Sequence, residues 1–230
     1  MNINSMGRSL LLFFVALLSA CTTVNVDQVR FEPSLDVQSG DRAVVLGRHH
    51  SAEFETEPAL VACVARRLRG AIEGLEVVSE QEFVDQFYPY FEARTAPLKP
   101  ARLQQVLQIP HVAAAFKASP VRYFIWVEGS TEQTGASGSM ACSITGAGGG
   151  CFGFGVWEDT SDYEAIVWDA NRYAEVGRVS TEAVGTSYMP AFVVPVPLIA
   201  QVQSNACQGM SEQLSKFFAD ESNALKVIEK

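Results

Sequence analysis

Val121-Arg122-Tyr123-Phe124-Ile125-Trp126-Val127 is the stretch that decides the fold. All but Arg122 are apolar or aromatic. A strand with one wet face would alternate apolar and polar residues. A nearly continuous apolar run instead predicts a central strand buried on both faces. Working outward, Ala43-Val44-Val45-Leu46 is a second short apolar run, and Leu75-Glu76-Val77-Val78 a third. Between those two lies a helical pattern over 57–72. Leu60, Val64, Leu68 and Ile72 recur every fourth residue, and Val61 and Ala71 widen the stripe. Thr56 is placed to cap this helix, Pro58 suits its first turn and Gly74 its end. Ser79-Glu80-Gln81-Glu82 has the form of a capping box, opening a helix through Phe83, Val84 and Phe87. Pro100 to Leu107 and Val112 to Lys117 predict two further short helices.

The second half changes character. Residues 139–145 and 151–157 predict a hairpin. Phe152, Phe154 and Val156 alternate there with Gly153, Gly155 and Trp157, so one face is bulky and the other mostly small. Residues 162–168 and 174–185 predict two more strands around the turn Asp169-Ala170-Asn171-Arg172. Leu198 to Phe218 predicts a closing helix, with Ile199, Val202, Ala206, Met210, Leu214 and Phe217 on one side. This order predicts an α/β fold with α+β character. It has a single mixed β-sheet with helices packed on it and an antiparallel meander in the C-terminal half. The expected organisation is a signal peptide over 1–20, a lipidated amino terminus and tether over 21–41, one α/β domain over 42–220 and a tail over 221–230.

The chain has 230 residues, 48% hydrophobic and 19% charged, which supplies a core and excludes disorder along the whole length. Seventeen basic against 26 acidic residues give a net charge of -9, which argues against a nucleic-acid partner.

The amino terminus has a positive residue, Arg8, and then an apolar run from Leu10 to Leu18. That run is far short of the roughly 20 residues needed to span a bilayer and matches a signal-peptide core. It ends in Leu18-Ser19-Ala20-Cys21, which resembles the lipobox of bacterial lipoproteins. The resemblance implies diacylglycerol transfer to the Cys21 sulfur, cleavage after Ala20 and acylation of the new amino group. Three acyl chains, at roughly 0.8 kcal/mol per buried CH2, would hold the protein stably to a membrane. Thr22, standing where an Asp would favour the inner membrane, leans towards the outer membrane. The expected place is therefore the outer membrane of a Gram-negative bacterium, facing the periplasm.

Four cysteines remain: Cys63, Cys142, Cys151 and Cys207. An even number in an exported chain suggests two disulfides, with three possible connectivities. Cys142–Cys151 would close a Gly-rich turn and Cys63–Cys207 would join two helices. The alternative at 63 and 207 is a pair of buried free thiols. Cys-x2-Cys spacing is absent, so no structural zinc site is expected.

The order over Leu103 to Val127 (helix, short loop, apolar strand) is similar to the periplasmic fold shared by the curli-secretion lipoprotein CsgG and the amino-terminal domain of TolB. Ala165 to Gly177 resembles the strand, Asp-containing turn and return strand of that fold. The likeness covers about residues 43–218, through pattern and order. It implies an envelope α/β domain. The pore-forming member has long amphipathic hairpins, whereas the strand segments here read as short and joined by short turns. A spanning strand needs roughly 9–11 residues of outward apolar alternation. The only candidate hairpin, 139–157, is Gly-rich, so pore formation is not expected.

Few residues suggest chemistry. His49 and His50 follow the first strand, with Glu53 and Glu55 nearby. The C-terminal end of a strand is where α/β sites gather, and a His beside carboxylates can bind a metal or act as a base. Yet neighbouring residues in extended chain point opposite ways. Gly146 to Gly150 lacks the Lys and the following helix of a phosphate loop. There is no Gly-x-Ser-x-Gly elbow, and Glu158, Asp159, Asp162 and Glu164 lack calcium-loop spacing. No catalytic residue, cofactor or metal ligand is therefore assigned. Phe87-Tyr88-Pro89-Tyr90-Phe91 packs bulky residues around a Pro, and not all of them can face inward from one helix end. Phe87, Tyr88, Tyr90 and Phe91 are thus a candidate partner surface. The expected function is a lipid-anchored, non-catalytic binding or assembly module with an envelope protein partner, able to form an oligomer. The alternatives are a metal-dependent or hydrolytic enzyme using His49 and His50, and a small-ligand sensor with a cleft beside the Gly-rich hairpin.

Overall fold

The structure, a computed structural model, describes residues 22–32, 34–48, 56–92, 95–146 and 148–219. The signal peptide, Cys21, His49, His50, Glu53, Glu55 and the tail over 221–230 lie outside the described residues. The strands are β1 (Thr22–Arg30), β2 (Asp41–Gly47), β3 (Leu75–Val78), β4 (Tyr123–Thr145), β5 (Gly148–Asp169) and β6 (Ala174–Pro195). The helices are α1 (Pro58–Leu68), α2 (Glu80–Gln86), α3 (Pro100–Leu107), α4 (Pro110–Ala118) and α5 (Val202–Ala219). The strands form one mixed sheet in the order β1-β6-β5-β4-β2-β3. β2 runs parallel to both β3 and β4, pairing Ala43 with Val77 and with Tyr123.

The chain divides into two compact units. Among the described residues, one unit takes those within 24–130, 161–182 and 203–219; the other takes those within 22–23, 131–160 and 183–202. In the first, the strand around Phe124 is buried on both faces, as its apolar run requires. Phe124 and Trp126 join Phe83, Phe87, Phe91, Leu103 and Val106 in a core under α2, α3 and α4. Tyr123 faces the other way and packs edge-on against Phe218 of α5, with ring centroids 5.1 Å apart. Gly47, on that same face of β2, lies against Val61 of α1. The sheet of this unit is thus covered on both sides around β2 and the start of β4, which is why its parallel strands need almost no polar residues.

Several sequence expectations are corrected. The tether expected over 21–41 is in fact an edge strand in its first part. β1 runs antiparallel to β6, with Phe31 N donating to Val176 O and Asn25 bonding Glu182. Val24 and Val26 alternate on one face and rest against Gly209 of α5, so a short period-two signal was present among polar residues.

The strands of the second half are also not short. β4, β5 and β6 run for 23, 22 and 22 residues, absorbing the Gly-, Ser- and Thr-rich stretches that read as loops. Ladder hydrogen bonds from neighbouring strands compensate for poor intrinsic propensity. Gly129, at φ +125°, passes so close to β5 that a Cβ would lie 2.0 Å from Asp162 O. These lengths exceed the roughly 9–11 residues a spanning strand needs, so strand length does not count against pore formation.

The closing helix starts at Val202 rather than Leu198, because Leu198 pairs with Tyr188 through two backbone hydrogen bonds of 2.7 and 2.9 Å. Cap chemistry differs too. The N-cap of α1 is Glu57, and the Thr56 hydroxyl turns inward, 3.0 Å from Val127 O and 3.2 Å from Arg48 O. Ser79 occupies the N-cap of α2 without a side-chain cap bond.

Both disulfides form. Cys63 of α1 joins Cys207 of α5 across a sequence separation of 144, and Cys142 joins Cys151 across 9 at the end of the β4–β5 hairpin.

Candidate functional site

Parallel strands aim their C-terminal ends at one edge, and β2 ends there at Gly47. A cleft of about 270 Å³ opens beside it, lined by Leu46, Gly47, Glu80, Gln81, Val84, Phe91 and Glu92. Glu80, the first residue of α2, accepts a hydrogen bond from Gly47 N at 3.0 Å, so one carboxylate there already holds the strand end. Arg48 follows immediately and is buried. Its guanidinium carbon lies 5.3 Å from the Trp126 ring centre and 5.2 Å from that of Trp168, with Glu128 at 3.4 Å. Burial pulls the Arg48 pKa below its ordinary value, and the charges of Glu128, Glu175 and Glu164 work against that pull. Sequence reading missed this aromatic–cation stack, because its members are distant in the chain. His49 and His50 follow Arg48 but lie outside the described residues, so the structure does not place them.

At the opposite strand ends, Arg122 bonds Asp41 at 2.6 Å and lies 3.5 Å from Asp169. Burial alone would lower its pKa; the bond to Asp41 and the charge of Asp169 outweigh that and hold it above the ordinary value. Tyr123 beside it is buried, and that burial pushes its phenol far above the usual range. These groups brace the sheet and the Asp169 turn, where Asn171 N donates to Asp169 Oδ1 at 2.8 Å.

The aromatic run after α2 is divided. Phe87 and Phe91 are buried and contact Phe83, with ring centres 4.6 and 4.8 Å from it. Tyr90 is partly buried against His111, while Tyr88 is 68% exposed. The surface a partner can reach here is therefore Tyr88 and the edge of Tyr90. The acidic residues around the β5 strand are separately engaged. Glu164 pairs with Arg178, Asp159 accepts from Ser187, and Glu158 bonds Thr134. No group of three or more His, Cys, Asp or Glu placed to hold a metal occurs among the described residues. Among those residues, no helix is long and apolar enough to cross a membrane.

In the second unit, large apolar side chains stand in solvent. Phe152 on β5 and Phe192 on β6 meet at 5.5 Å, and both are exposed. Val193, Val194, Val196 and Ile199 continue the surface. The alternation at Phe152 and Phe154 was legible in the sequence, whereas the exposed run from Phe192 to Val196 was not.

No family model matches the chain. No curated protein matches it. Among solved structures, the chain is similar to a PelC dodecamer from Paraburkholderia phytofirmans at a TM-score of 0.36 and 14% identity, over 85% of this chain and 97% of that one. A second, variant PelC dodecamer from the same organism gives a TM-score of 0.37 and 14% identity, over 86% and 99%. Likenesses at these TM-scores carry no argument about fold or function.

Proposed function

We propose that this chain is a lipid-anchored envelope protein, facing the periplasm from the outer membrane, that works as a non-catalytic binding or assembly module. The observation that carries the anchor is Leu18-Ser19-Ala20-Cys21 at the end of an apolar run behind Arg8. The two disulfides support an oxidising compartment. Tyr88, exposed beside the partly buried Tyr90, supports a contact role, since aromatic side chains of this kind anchor protein interfaces. In this reading the module engages an envelope protein partner and is able to form an oligomer. The test is metabolic labelling with palmitate in cells, followed by crosslinking and mass spectrometry of what co-purifies. The native chain should take up label and capture a discrete partner, and Cys21→Ala should lose both. Label-free native protein would overturn the anchor; a labelled protein without a specific partner would overturn the assembly role.

A further inference from the structure

The outer part of the meander has an unusual composition for a chain with 17 basic and 26 acidic residues. Residues 133–157 contain no charged side chain, and neither do residues 183–211. Within that uncharged region the second unit exposes Phe152, Phe192, Val193, Val194, Val196 and Ile199. Phe192 is 78% exposed and Val194 63%, levels at which each side chain is mostly in water. The segment after β6 is not loose chain, because its pairing of Leu198 with Tyr188 folds it back along the strand and fixes these side chains as a surface.

Where the chain leaves this unit decides the occupant. Thr22 belongs to the same unit and packs beside Gly185, within 3.1 Å of the position a Cβ there would take, next to Ala200 and Val202. Cys21 is the preceding residue, and consecutive Cα atoms lie about 3.8 Å apart. A lipid on Cys21 therefore has no tether behind it and enters the membrane beside the unit that carries the apolar surface. An uncharged face meets a lipid surface without desolvating any ion.

We infer that the apolar surface formed by Phe152, Phe192, Val193, Val194, Val196 and Ile199 rests on the lipid bilayer at the headgroup–acyl boundary. The inference rests on the lipid anchor proposed above and adds a second attachment that fixes orientation. The contact is interfacial, roughly 5–10 Å deep.

The test places the photoreactive residue benzoyl-phenylalanine at position 192 of the full chain in cells, with a second variant carrying it at exposed Tyr88 in the other unit. Irradiation should add the mass of one phospholipid at position 192, at least several-fold more often than at 88. A doubled mass from a second copy, an adduct to another protein, equal lipid adducts at both positions, or no adduct would each overturn the inference. Palmitate labelling of the same samples separates the two readings. Label without a lipid adduct at 192 leaves the anchor and removes the surface contact. An adduct without label keeps the contact and removes the anchor.

Discussion

Removing the Cys63–Cys207 disulfide should cost far more than removing Cys142–Cys151. The first bond closes a loop with a separation of 144 and ties α1 to α5 on one side of the sheet; the second closes a separation of only 9. Chain-entropy reasoning puts the long loop at about 5 kcal/mol and the short one nearer 3 kcal/mol. Cys207 is buried and Cys63 is partly buried, so replacing both with Ala also removes a little packing. At roughly 2–4 °C per kcal/mol for a chain of this size, the double Ala variant at 63 and 207 should melt about 10–20 °C lower. The assay is urea and thermal unfolding followed by circular dichroism, with both double variants measured beside the native chain. The m-value of the long-loop variant should rise, since its denatured state is less constrained. The reasoning fails if the long-loop variant loses less stability than the short-loop variant, or if its loss stays below about 1.5 kcal/mol.

Two further outcomes follow from the sheet. Burial raises the Tyr123 pKa above its usual value, so its stabilising effect is complete below about pH 10, the unfolded value, and is lost as pH rises towards the folded one. Tyr123→Phe should flatten the fall in stability above pH 10; because the hydroxyl has no partner among the described residues, it should leave stability at pH 7 unchanged or about 1 kcal/mol higher. An equally steep alkaline fall in the variant would refute this. Gly129→Ala should cost about 3 kcal/mol, because φ is +125° and the new methyl would sit 2.0 Å from Asp162 O. Gly135→Ala, on the same strand with open space around it, should change stability by no more than about 0.5 kcal/mol in chemical denaturation. Equal effects at the two positions would mean that the close approach at Gly129 does not hold in solution.

By itself the sequence determined the sheet centre and the class of fold. Residues 121–127 needed cover on both faces, and the fourfold recurrence at Leu60, Val64 and Leu68 needed a sheet to lie on. Those are local periodicities, and burial enforces them wherever the chain goes. The Cys pairing was legible for a similar reason: one pair flanks a turn, and the other sits on two helices with apolar stripes.

The long strands were not legible. Gly-, Ser- and Thr-rich stretches such as 133–139 have no apolar alternation, and only hydrogen bonds from β5 make them strand. β1 was hidden because Val24 and Val26 find their apolar neighbour on α5, some 180 residues later. Long sequence separation likewise conceals Arg48 between Trp126 and Trp168, and packing on Phe83 divides the aromatic run at 87–91 between core and solvent. Tertiary structure alone decided these features, because each depends on which distant residues supply the missing partner. That also holds for the exposed surface around Phe192, which the described residues leave mostly in solvent.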